Sequence, residues 1–119
     1  YREAISKNNC IADSLVENAL KEKGFNNIKN LSSDFTYSLY DFSYEVNEKV
    51  KYLMVFNTTT SNKYFNISSK KLKFLNDFSD DTKIILITNI LEDPQIYEYS
   101  IADINGFSKS INSLMLVKE

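Results

Sequence analysis

Two stretches of this chain carry apolar residues on both faces, and this constrains the fold more tightly than any other sequence feature. Across residues 50–59, Leu53, Val55 and Asn57 alternate with Tyr52, Met54 and Phe56. The run from Lys83 to Leu91 (KIILITNIL) is still more apolar. A strand of this kind sits inside a sheet that is covered on both sides. The covering layers must come from helices elsewhere in the chain.

The spacing supplies two. Ile11, Leu15, Val16, Ala19 and Leu20 recur at helical intervals and predict a helix over 10–23, stopped by Gly24. Ser68 or Ser69 caps a second helix running to about Asn76, with Leu72 and Leu75 on its apolar side. Strands are expected at 25–31, 37–46, 50–59, 83–91 and 95–100, with a last one at 113–117. Asn47-Glu48-Lys49 splits the second from the third and makes them a hairpin, and Asp93-Pro94 turns the fourth into the fifth. A helix between the third and fourth strands permits a right-handed crossover. The predicted fold is α/β, a mixed central sheet flanked by helices in the order α-β-β-β-α-β.

At 119 residues, 43% hydrophobic and 13% aromatic, the chain closes one core and is read as a single domain, 1–119. Its first residue, Tyr1, reads as the start of a fragment of a larger protein. The sequence has no His, which removes His-based acid/base chemistry and His metal ligands. Cys10 is the only cysteine, so there is no intrachain disulfide and no Cys-cluster metal site, and a reducing intracellular compartment, cytoplasmic or nucleoid/nuclear, is expected. No apolar run reaches the roughly 20 residues of a membrane span. With 14 basic against 16 acidic residues, no global positive field draws nucleic acid, so any such contact must be local.

Four stretches carry a family resemblance over most of residues 11–104. Glu17 lies in Leu15-Val16-Glu17-Asn18-Ala19-Leu20, followed by Lys23-Gly24-Phe25. Tyr40-Asp41-Phe42 follows on the second strand, and Val55-Phe56-Asn57-Thr58-Thr59 ends the third. Tyr64-Phe65-Asn66-Ile67-Ser68 leads into the helix with Leu72 and Phe74, then Ile84 to Thr88, Pro94 and Tyr97. These resemble the protein NO VEIN C-terminal domain family, whose members are similar to the restriction-endonuclease-like, or PD-(D/E)XK, nucleases. The resemblance implies a metal site built from a strand-two Asp, a strand-three Glu and a Lys two residues on. Asp41 stands at the first position, Val55 at the second and Asn57 at the third. Val offers no ligand atom, and Asn neither the charge nor the proton of Lys. The implied site is therefore degenerate.

Three readings stay open. The first is a catalytically degenerate nuclease-like domain that binds DNA or scaffolds a larger protein, which the resemblance implies is of a DNA-handling or defence type. Lys63, Lys70, Lys71 and Lys73 are the basic concentration for phosphates, Thr58 and Thr59 add hydroxyls, and Tyr64 or Phe65 could stack on a base. The same lysines also read as a solvated helix face. The second is an active Mg²⁺-dependent nuclease with relocated carboxylates, Asp41 with Glu45 or Glu17, each of which reads equally as an exposed polar residue. Lys51 shares the face of Val55 and Asn57 but lies about 20 Å from Asn57 along the strand. The third is a protein-interaction module that touches no nucleic acid. Only the second requires a cofactor.

Overall fold

Strand β5 (Thr82–Thr88) shows why the both-faced pattern matters: from Ile84 to Ile87 every side chain is buried, and successive ones enter different cores. Ile84 and Leu86 join Met54, Phe65, Ile67 and Leu75 on one face. Ile85 and Ile87 join Ala12, Val16, Leu20, Phe42 and Leu53 on the other. Each core is closed by a helix, α1 (Arg2–Glu22) on the second face and α2 (Ser69–Asp77) on the first. The computed structural model is thus an α/β protein, a mixed sheet between helices. It describes residues 2–31, 39–104, 108–109 and 115–117, with side chains for 7–31 and 39–104.

The sheet has five strands in the order β1 (Asn26–Asn30), β2 (Phe42–Val46), β3 (Lys49–Asn57), β5, β6 (Gln95–Tyr99). All neighbours are antiparallel except β3 and β5, which run parallel with Tyr52 opposite Thr82 and Asn57 opposite Ile87. The connection between those two passes through β4 (Tyr64–Asn66) and α2. At its far end Lys51 Nζ pairs with Asp81 Oδ1 at 2.7 Å and Tyr52 N donates to Asp81 O, pinning the parallel register. A short helix α3 (Ile101–Ile104) follows β6, and β7 (Ser108–Lys109) and β8 (Met115–Val117) form a second, three-stranded sheet with β4 in the order β4-β8-β7. Among the described residues no helix is long and apolar enough to cross a membrane.

The ends of the elements follow from local chemistry. Gly24 has φ +74° and closes α1 as a Schellman turn, its N–H on Lys21 O and the Phe25 N–H on Leu20 O. A Cβ at Gly24 would meet nothing within 4 Å, so Gly24→Ala costs only the left-handed backbone, about 1 kcal/mol in a urea titration. The Ser68 hydroxyl accepts from Lys71 N and caps α2. Asn27 (φ +50°) sits in a bulge where the β1–β2 register slips between Asn26 and Lys29.

Three sequence expectations are corrected here. The first helix begins at Arg2, not at 10, because its early turns carry Ser6-Lys7-Asn8-Asn9 and no apolar rhythm announces them. Strand β2 begins at Phe42 rather than Tyr37; residues 37 and 38 lie outside the described ones, as do 113 and 114 of the last predicted strand. The hairpin turn has two residues, not three: Val46 pairs with Lys49, and Asn47 (φ +52°) and Glu48 (φ +67°) form the left-handed pair of a type I′ turn. Asn adopts that conformation readily, whereas Glu48 adopts it only at a cost of about 1 kcal/mol. Glu48→Gly is expected to stabilise the protein by about 0.5–1 kcal/mol, read as a raised denaturation midpoint at unchanged m-value.

Candidate functional site

Counting back from a two-residue turn puts Phe42 opposite Leu53 and leaves Asp41 just beyond the end of β2. Its backbone still joins the ladder, with Asp41 N on Leu53 O at 2.8 Å and Leu31 N on Asp41 O at 2.7 Å. Its carboxylate takes over where β2 stops: Asp41 Oδ2 accepts from Val55 N at 2.7 Å. The three positions singled out in the sequence are therefore drawn together at the C-terminal end of the central strand. Val55 turns its side chain onto the α1 core, and Asn57, two residues on, shares that face.

Burial is the largest influence on the Asp41 carboxyl and raises its pKa above the ordinary 3.8. The Val55 N–H and the Lys71 ammonium oppose that rise, and the Asp13 carboxylate on α1 adds to it. Asp13, not Glu17, is thus the α1 carboxylate that acts on Asp41. Glu17 lies one turn further along and pairs with Lys21 at 3.6 Å on the exposed face. Glu45 is four residues along β2, about 13 Å from Asp41 at strand rise, and cannot share with it an ion whose ligands stand at about 2.1 Å. Among the described residues, no three Asp, Glu or Cys side chains are grouped to hold a metal.

A polar groove opens beside this point, about 310 Å³ in volume, between the N-terminal half of α1 and the ends of β3 and β4. Asn57 Nδ2 donates to Asn9 Oδ1 at 2.9 Å across it, and Asn8, Asn66, Tyr64, Val55, Phe56 and Phe65 line the rest. Asn9 and Asp13 were not singled out in the sequence. The signal was present, since both lie four-residue steps before Glu17 and so on one helical stripe.

The other predicted contacts divide. Thr58 is buried, with its N–H on Ile87 O and its hydroxyl 3.3 Å from that of Thr60, so it holds the loop rather than facing outward. Thr59 is exposed. Lys63 Nζ lies 4.2 Å from the Tyr97 ring centre and Lys71 Nζ 5.5 Å from that of Phe56. Lys70 and Lys73 are exposed on α2 and make no ion pair among the described residues. Phe65 also lines the groove but is buried in the core, so the half-buried Tyr64 and Phe56 are its accessible aromatics. Comparisons with protein-family profiles, with curated proteins and with solved structures find no significant match to this chain.

Proposed function

We propose that this domain is a nuclease-like core of the PD-(D/E)XK type whose metal site is degenerate, and that it serves as a nucleic-acid-binding module. The observation that carries the reading is the meeting of Asp41, Val55 and Asn57 at the end of the central strand, beside a groove lined by amide and aromatic side chains. In such a core these positions hold metal and water; here an aliphatic side chain and an amide stand in two of them. The order β1-β2-β3-β5, with α2 in the crossover to a parallel β5, supports the same reading.

The groove chemistry suits a sugar–phosphate backbone. Asn8, Asn9, Asn57 and Asn66 offer both donors and acceptors, and Tyr64 offers a ring for one unpaired base. Lys63, Lys70, Lys71 and Lys73 are the candidate phosphate contacts, and of these Lys71 reaches over the ring of Phe56 in the groove lining. Against a net charge of −2 their attraction is modest and falls steeply with salt.

The test is fluorescence anisotropy with labelled single- and double-stranded DNA at low and physiological salt, with Mg²⁺ present and products run on a denaturing gel. Binding is expected to weaken by at least about tenfold as salt rises from about 50 to 200 mM, without cleavage. The triple variant Lys63→Ala, Lys70→Ala, Lys73→Ala should weaken it further, by about fivefold or more. Absence of binding at low salt would overturn the proposal in favour of a protein-interaction role. Cleavage abolished by Asp41→Asn would overturn it in favour of an active nuclease.

A further inference from the structure

At the other end of α1 a second cavity, about 140 Å³, opens between the helix and the sheet. Its floor is aliphatic, from Val16, Leu20, Leu53 and Ile85, and one wall is the stacked pair Phe25 and Tyr44, with ring centres 4.7 Å apart. An apolar cavity of about 150 Å³ accommodates one benzene ring. The size and lining therefore fit a single six-membered ring or a branched chain of similar bulk.

The mouth is charged. Lys83 Nζ meets Glu98 Oε1 at 2.7 Å, while Lys23 Nζ stands 4.0 Å from Glu98 Oε2. Two ammonium groups thus share one carboxylate, and the Lys23 contact is too long for a hydrogen bond. The Tyr44 hydroxyl lies within the field of both Glu98 and Lys83. The C-terminal dipole of α1 disfavours an anion here, but the Schellman turn occupies the Leu20 and Lys21 carbonyls, and Lys23 and Lys83 against the single Glu98 carboxylate leave one full net positive charge to outweigh it. We propose that this cavity is a binding site for a small aromatic or branched carboxylic acid, its apolar body against Leu20 and Ile85 and its carboxylate between Lys23, Lys83 and the Tyr44 hydroxyl. The site is separate from the polar groove and does not depend on the nucleic-acid reading.

The test is a titration of the ¹⁵N-labelled protein with phenylacetate, with benzyl alcohol and 2-phenylethylamine as neutral and cationic controls. For about ten non-hydrogen atoms a Kd near 1 mM is expected, with shifts concentrated on Val16, Ala19, Leu20 and Ile85 and the acid bound about fivefold more tightly than the alcohol. Lys23→Met should erase that preference while the ring still binds. Ala19→Phe, at the half-buried rim, should abolish binding of both ligands in a protein whose spectrum remains folded. Failure to saturate by about 20 mM, scattered shifts, or equal binding of the amine would overturn the proposal.

Discussion

Replacing Asp41 with Ala is expected to lower stability by about 1–3 kcal/mol in chemical denaturation, whereas Asp41→Asn holds or raises it at neutral pH. The difference lies in what each side chain does for Val55. Asp41 Oδ2 takes the Val55 N–H at the point where β2 no longer pairs with β3. Ala leaves that part-buried donor without its partner. Asn keeps an acceptor and removes the desolvated charge.

The pH dependence has a definite sign. The folded pKa of Asp41 is raised, burial being the main cause, so the folded state holds its proton more tightly than the unfolded chain. The associated stability is fully present below the ordinary value of 3.8 and is lost as pH rises through the raised folded value. Comparing wild type with Asp41→Asn across that window should show the wild type losing ground as pH rises. A flat difference would remove burial as the cause.

Leu86→Ala is expected to have the larger effect, about 2–5 kcal/mol, with a fall in Tm of about 10 °C or more. Leu86 is fully buried, opposite Phe56 on β3 and Tyr97 on β6, in the core that α2 closes. Ile87→Ala should cost a similar amount from the opposite core. The two side chains occupy separate clusters but adjoin on one strand, so the departure from additivity in the double variant, read from thermal melts, measures their coupling through the shared backbone.

Much of this arrangement was legible in the sequence. The two-faced apolar runs placed β3 and β5 at the centre, and Ile84 to Ile87 could satisfy that pattern in no other position. The Leu15, Val16 and Leu20 stripe and Gly24 gave the end of α1. What escaped was polar, short or dependent on register. The early turns of α1 have no apolar rhythm to read, and β4 and β7 have only three and two residues, too few for a period to register, whereas β8 falls within the last predicted strand. A three-residue turn at Asn47 to Lys49, in place of the observed two, shifts the register and hides the bond between Asp41 and Val55. Asn9 lies before the predicted helix start, and Asp13, though inside that helix, gains a role only once α1 is set against β3 and Asp41.

The parallel seam between β3 and β5 governs how the chain reaches this state. Lys51 and Asp81, at one end of that seam, lie 30 residues apart, whereas β2–β3 and β5–β6 are closed by nearby turns. The two hairpins can form in about microseconds, but the seam must close a loop of about thirty residues before any pairing compensates for the lost entropy. Folding is then the docking of two hairpins, and a chain caught before that step exposes β3 and β5 together, each apolar on both faces and each with an unpaired edge. Those two edges are where a nascent or destabilised chain is most prone to pair with another copy instead of with itself.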